Sequence, residues 1–202
     1  MTTAIFRKTL ALVAGGALAA SAMGCSSTVR EGRSPAYLII DSLEAASGAD
    51  STSFTNDLAS DVQTKGSALQ DPGQVTFTLG LKDVGTSGNT TSPTTNNFIT
   101  LNRYHVSFRR ADGRNTPGVD VPYAFDGAFT GTVNDSTQTF TFVLVRVQAK
   151  LESPLVNLIG RGGAQAILTI ADVTFYGKDQ TGNDVAVAGS MTVNFADWAD
   201  PQ

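Results

Sequence analysis

A strict alternation of apolar and polar residues is the feature that most limits how this chain can fold. In the segment 74–84, Val75, Phe77, Leu79 and Leu81 fall on one side of an extended chain, and polar residues fall on the other. A period of two buries one face and leaves the other in water, as in a strand of an antiparallel sheet. The 3.6-residue period that a helix requires is scarce in this sequence.

Further apolar runs of strand length follow along the chain. The segment 37–43 contains the β-branched pair Ile39 and Ile40, which favours a strand over the alternative, a helix continuing into residues 44–46. Strands are also predicted at 54–65, 98–111, 119–123, 125–133, 139–150, 164–177 and 185–195, the first of these as a short edge strand. This succession predicts an all-β domain.

Two bulges and one short helix are expected within this pattern. The apolar face shifts by one residue near Asn102, which predicts a β-bulge, and Gly189 predicts a second. Ser153 followed by Pro154 has the form of a helix start. The apolar residues after it predict a short helical plug that ends at Gly160 and closes one end of the core.

The last two predicted strands form a hairpin around the turn 178–184 (KDQTGND). This hairpin resembles the final strands of immunoglobulin-like sandwich domains, which are common in bacterial surface proteins. The resemblance implies an antiparallel β-sandwich of seven to nine strands over residues 35–202. It implies a fold and no activity, since one fold serves many functions.

Residues 1–24 have the three-part layout of a secretory signal peptide. Arg7 and Lys8 precede thirteen uncharged residues at 10–22, and small residues follow. A membrane-spanning helix needs about 20 apolar residues, and polar residues from Ser26 onward interrupt the run too soon. We therefore exclude residues 1–24 from the fold.

The segment Ala22-Met23-Gly24-Cys25 resembles the lipobox of bacterial lipoproteins, although Leu is usual where Ala22 stands. The resemblance implies that Cys25 becomes the lipid-modified first residue of the mature chain and that residues 25–34 tether the domain to a membrane. Ser26, next to the cysteine, implies the outer membrane of the cell envelope, with the domain on its periplasmic or surface face. The alternative is ordinary cleavage after Ala20-Ser21-Ala22, which would leave a secreted chain with a free thiol.

The charge of the chain argues against one class of partner. The sequence has 14 basic and 18 acidic residues, and removal of the leader with Arg7 and Lys8 leaves 12 basic residues and a net charge of −6. Such a surface repels nucleic acid and anionic lipid. Because Cys25 is the only cysteine, the core must be stable without disulfides, and an exported chain with one cysteine fits lipidation better than pairing.

Residues for catalysis or metal binding do not form a recognisable motif. His105 is the only histidine and lies within a predicted strand, so a nucleophilic triad or a zinc site lacks partners. Asp179, Asn183 and Asp184 offer oxygen ligands, but Asp, Asn and Gly are also what a turn requires. We predict no enzyme activity, no cofactor and no metal, while a carboxylate pair of the hydrolase kind remains the alternative.

Arginines concentrate in one stretch of this acidic chain. If Asp112-Gly113 is a turn, Arg109, Arg110 and Arg114 cluster at one end of the sheet as candidate partner-binding residues, with strand-edge charge as the other explanation. Trp198, the only tryptophan, is expected to cover one end of the core.

The sequence therefore predicts a noncatalytic envelope lipoprotein that acts as a binding, adhesion or scaffold module. Its partners would be a membrane, through the N-terminal lipid, and an envelope protein or glycan. The alternatives are a hydrolase that uses carboxylates and a glycan-binding module, which would align aromatic side chains on one exposed sheet face. The loop 83–97, rich in Gly, Ser, Thr and Asn, is either a disordered spacer or a ligand-contacting loop.

Overall fold

A computed structural model describes residues 32–198 of the protein. The predicted signal peptide and Cys25 lie outside these residues. Within them the chain is mostly β, as the sequence predicts, and it contains one short α-helix. The strands are β1 (Ala36–Ala45), β2 (Asp57–Asp61), β3 (Asp71–Leu81), β4 (Gly85–Thr86), β5 (Asn89–Thr90), β6 (Ile99–Arg109), β7 (Phe125–Val133), β8 (Gln138–Val145), β9 (Ile167–Asp179) and β10 (Asp184–Ala196), and the helix is α1 (Val147–Leu151).

The strands form a three-stranded sheet, a five-stranded sheet and a small hairpin. The three-stranded sheet has the order β1-β3-β8, and the five-stranded sheet, which curls, has the order β2-β10-β9-β6-β7. β4 and β5 pair within the loop 82–98. The predicted edge strand is confirmed as β2, but it runs parallel to β10, so the expectation of wholly antiparallel sheets is wrong at this edge.

The buried faces of the two larger sheets meet through aromatic rings. Phe175 on β9 lies 5.1 Å, ring centre to ring centre, from Phe77 on β3 and 5.2 Å from Phe142 on β8. Tyr104 on β6 lies 5.2 Å from Phe142, and its hydroxyl accepts a hydrogen bond of 3.3 Å from the Val143 amide. Full burial of each such ring contributes roughly 1.5–3 kcal/mol, so these contacts hold the two sheets together.

The first predicted bulge is confirmed and the second is wrong. The pairing of β6 with both neighbours shifts between Leu101 and Arg103. At Gly189 the ladder with β9 is unbroken. A Cβ there would lie 3.0 Å from Ile40 Cδ1 and 3.3 Å from Leu43 Cδ2, so this glycine allows β1 to approach β10 closely.

Two predicted strands end or fail in the structure. The strand predicted at 139–150 stops at Val145, and α1 follows and carries the buried Lys150. Residues 119–123 form a loop in which Val121 makes only an isolated bridge to Pro117. A helical plug is confirmed as a 3-10 helix, Leu155–Leu158, whose two leucines are buried. Its start is wrong in the prediction, since Pro154 and not Ser153 is the N-cap residue, and it ends before Gly160.

The strands run between two ends of the molecule. We call the tether end the one where β1 begins after Pro35, together with the connections 82–98, 134–137 and 180–183. We call the far end the opposite one, with the connections 46–56, 62–70, 110–124 and 146–166. β9 and β10 have 13 residues each, which corresponds to about 40 Å between the ends.

The chain is fastened where it enters the tether end. The Lys82 amide donates to the Pro35 carbonyl at 2.9 Å, and Lys82 Nζ donates to the Gly32 carbonyl at 3.2 Å. Ser34 is 1% exposed and hydrogen-bonds to the Asp179 carboxylate. The orientation of the body is therefore fixed from Ser34 onward.

Candidate binding surface at the far end

The three candidate partner-binding arginines all lie at the far end. Arg109 ends β6, and its guanidinium makes two hydrogen bonds to the Asp172 carboxylate of β9, at 2.6 and 3.4 Å. Ser190 donates to the same carboxylate at 2.6 Å. Burial alone would raise the pKa of Asp172, but the bonds from Arg109 and Ser190 outweigh it and lower the pKa.

Arg110 and Arg114 share one carboxylate in the loop that follows. Arg110 Nη2 lies 2.6 Å from Asp112 Oδ2, and Arg114 Nη2 lies 3.0 Å from the same oxygen. These hydrogen bonds, with that from the Arg114 amide, hold the pKa of Asp112 well below its usual range. The three arginines are thus ion-paired within the chain and order its loop, and their role in partner binding stays a prediction.

Apolar side chains are the more distinctive feature of the far end. Eleven large apolar residues of the described chain are exposed, and eight of them lie there: Leu69, Val119, Tyr123, Val147, Leu151, Val156, Ile159 and Leu168. Leu168 is 60% exposed and, with Ala111, Ala166 and Arg110, lines a shallow recess. Exposed apolar groups that gather in one region are typical of interaction sites.

The amino-acid pattern contains only a faint sign of this apolar surface. Leu168 follows Ile167 directly. Two apolar residues in succession break the apolar-polar alternation at the start of β9. Val147 lies within the strand predicted at 139–150, whereas α1 leaves both Val147 and its neighbour Leu151 exposed. Val147 and Leu151 lie at the surface because the chain leaves the sheet after β8.

A buried ion pair lies beneath this surface. Lys150 Nζ is 2.8 Å from Asp71 Oδ1, and the two side chains are 1% and 0% exposed. Lys150 also donates to the Asp61 carbonyl at 2.7 Å. Ser60 Oγ donates to Asp71 Oδ2 at 2.5 Å, and the Gly48 amide donates to Oδ1 at 2.8 Å. The pair therefore connects α1, β2, β3 and the loop 46–56.

Burial has the largest effect on the pKa of Asp71. It raises the pKa of Asp71 above the ordinary value, although Lys150, Ser60 and Gly48 each favour the carboxylate. Sequence analysis missed the pair, because nothing in a pattern of residues shows that two charges 79 positions apart will meet in a dry interior.

The tryptophan lies beside this region. The Trp198 amide donates to Asp61 Oδ1 at 3.0 Å, and Thr64 Oγ1 donates to Oδ2 at 2.6 Å. A Cβ at Gly163 would lie 3.1 Å from the Trp198 ring, so the ring packs on that glycine. Trp198 thus lies at the far end, in agreement with the expectation that it covers one end of the core.

The histidine and the acidic turn lie elsewhere. His105 Nδ1 is 3.4 Å from Asp126, on the outer face of the five-stranded sheet, where Arg103 also contacts Asp126 at 3.0 Å. Asp179 accepts hydrogen bonds from the amides of Thr181 and Asn183, each at 2.9 Å, and Asp184 pairs with Lys178. Between residues 32 and 198 no three acidic, histidine or cysteine side chains are grouped to hold a metal ion.

No protein-family model matches the chain, and no curated protein matches it either. In the part of the chain that the structure describes, no helix has the length and apolar character needed to cross a membrane.

Proposed function

We propose that the protein is a noncatalytic, lipid-anchored module of the cell envelope that binds another envelope protein through its far end. The observation that carries this proposal is the gathering of eight exposed apolar side chains at the end opposite the N-terminal attachment. Their exposure has a hydrophobic cost that contact with a partner would remove.

The geometry of the attachment supports this orientation. Cys25 precedes Gly32 by seven residues, and at 3.3–3.6 Å per residue a fully extended chain of that length spans about 25 Å. The strands span about 40 Å. A lipid on Cys25 would therefore hold the tether end near the bilayer and leave the far end free to meet a partner.

A protein partner fits the far end better than a glycan. Glycan-binding faces use aligned aromatic side chains, but the two exposed aromatic residues of the described chain, Tyr37 and Tyr123, lie on the outer face of β1 and in the loop before β7. Aliphatic side chains interspersed with ion-paired charges suit a protein surface. We commit to a protein for this reason.

The state of the carboxyl groups supports the absence of catalysis. A general acid of a hydrolase needs a raised pKa and access to its substrate. Burial raises the pKa of Asp71, but its side chain is 0% exposed. Asp112 and Asp172 reach solvent and Asp179 is buried, and hydrogen bonds lower the pKa of each of the three.

We also propose that the two larger sheets are the layers of an immunoglobulin-like sandwich. The aromatic contacts between β3, β8 and β9 support a shared core of that kind. The parallel pairing of β2 with β10 is a departure within that arrangement.

Site-specific photocrosslinking in native envelopes tests the binding proposal. A photoreactive amino acid at Leu151 or Leu168 of the full chain is expected to capture one discrete protein, and Glu at the other position is expected to reduce that capture at least tenfold. Val84, which is at least as exposed as Leu151 and Leu168 but lies at the tether end, is the matched control position. Equal capture from Val84, or capture that Glu substitutions leave unchanged, would contradict the proposal.

A further inference from the structure

Lys150 and Asp71 meet under conditions that allow more than an ion pair. Their reacting atoms are in contact, with Nζ 2.8 Å from Oδ1, and neither side chain reaches solvent. In water an ammonium and a carboxylate do not condense, because hydration stabilises both charges. In a dry site that stabilisation is lost and the neutral amine and acid become accessible.

We propose that Lys150 and Asp71 condense within the folded protein to an intramolecular amide bond that cross-links β3 to α1. No cofactor or oxidant is required. The bond that forms joins Lys150 Nζ to Asp71 Cγ, and the bond that breaks joins Cγ to one carboxyl oxygen.

The atoms balance in three steps. A proton moves from the ammonium of Lys150 to Oδ1 of Asp71, with which Nζ is already hydrogen-bonded. The free amine then attacks Cγ and gives a tetrahedral intermediate. Oδ1, carrying its proton and a second one from Nζ, leaves as water, while Oδ2 remains as the amide oxygen.

The neighbours of Asp71 are placed to assist this reaction. Ser60 Oγ donates to Oδ2 at 2.5 Å, which is the oxygen that carries negative charge in the intermediate, and such donors stabilise that charge. The Asp61 carbonyl holds Nζ at 2.7 Å and so fixes the amine beside the acid. Well-oriented groups of this kind react with effective molarities on the order of 10⁵–10⁸ M.

Burial of the Asp71 carboxyl favours its neutral form, which the reaction needs. The pKa of Asp71 is raised by desolvation, so the proton transfer from Lys150 is less costly than at the surface. The cross-link would supply a covalent closure in a chain that has a single cysteine and so cannot form an internal disulfide.

Peptide mass mapping of the full-length protein, purified and then denatured, tests this proposal. Trypsin is expected to release one branched species that joins the peptides 66–82 and 147–161, lighter than their sum by one water molecule. It is expected to spare the bond after Lys150, because an acylated lysine is not cleaved. Recovery of the linear peptides 66–82, 147–150 and 151–161 in full, which requires cleavage after Lys150, would overturn the inference.

The digest contains its own control. Lys178 and Asp184 are also in direct contact, but their side chains are 48% and 31% exposed. This pair is expected to stay unlinked, since proximity without burial does not favour the neutral forms. Asp71→Ala is expected to abolish the branched species, and its persistence would show that another carboxyl is the acceptor. The wild-type digest decides the question even if that variant does not fold.

Discussion

The ring of Tyr104 lies directly on Gly127 of the neighbouring strand. The two residues are paired between β6 and β7, and a Cβ at position 127 would be 2.1 Å from Tyr104 Cζ. The missing side chain thus lets the ring turn into the core, where Phe125 and Phe129 meet it edge to face.

Gly127→Ala is therefore expected to destabilise the fold. The added methyl group must displace a buried ring, and overpacking of this kind costs about 1–3 kcal/mol. Urea unfolding followed by near-ultraviolet circular dichroism would measure the loss. Gly88→Ala is the matched control, because nothing lies within 4 Å of a Cβ there; equal effects of the two variants would refute the close approach.

Removing one partner of the buried pair is expected to be severe. Lys150→Met removes the cross-link proposed above and leaves the Asp71 carboxyl buried alone. A lost partner of this kind costs about 3–5 kcal/mol, and the loss of the covalent closure adds to it. The double variant Lys150→Met, Asp71→Leu is expected to recover the part of that loss that comes from the isolated carboxyl, because no charge then remains in the interior. Thermal unfolding of the single and double variants would measure it, and a double variant less stable than Lys150→Met would speak against an isolated charge as the cause.

Asp179 is expected to make the free energy of unfolding depend on pH. Burial alone would raise its pKa, but hydrogen bonds from Asn183, Thr181 and Ser34 lower it to about 2 from the ordinary 3.8. A carboxyl with a lowered pKa stabilises the folded state above its unfolded pKa, and that contribution disappears as the pH falls toward the folded value. We expect a loss of about 2 kcal/mol between roughly pH 4 and pH 2.

Denaturant unfolding at several pH values measures this effect. Asp179→Ala is expected to reduce stability at pH 7 and to flatten the decline below pH 4. Asp135→Ala, at an exposed position in the turn between β7 and β8, is the control that should leave the decline intact. An unchanged acid profile in Asp179→Ala would assign the dependence to other carboxyls.

Cys25→Ala is expected to release the protein from the membrane fraction, because the proposed acyl chains would be lost and each buried methylene contributes about 0.8 kcal/mol. Sedimentation of envelopes followed by immunoblotting measures the distribution. Detection of a mature N-terminus at Met23 with no acyl group would contradict lipidation.

Much of the fold could be predicted, because alternation records burial directly. The strand β3 follows from Val75 and Phe77, and the one-residue slip near Asn102 marks the bulge that the pairing shows. The direction of β2 could not be predicted, since five residues at an edge carry no sign of whether their partner runs parallel or antiparallel.

The surface proposed for binding was harder to foresee. Arg109 and Arg110 are recognisable in the sequence as neighbouring charges. Their ion pairs are not, because the carboxylate that pairs with Arg109 belongs to Asp172, which is distant in sequence. The apolar residues of α1 continue the apolar pattern of β8, so the local sequence does not distinguish a helix from a longer strand. The contact that accompanies the helix, between Lys150 and the Asp71 carboxylate, joins residues far apart in sequence.

The fastening of Pro35 to Lys82 has a mechanical consequence. A load applied by a partner at one extremity and resisted by a lipid at the other acts along the axis of β1, which pairs antiparallel with β3 over nearly its whole length. Force in that direction shears all the ladder hydrogen bonds together instead of peeling them one at a time. If a lipid and a partner hold the two ends as proposed, this geometry would let the domain withstand the tension between them.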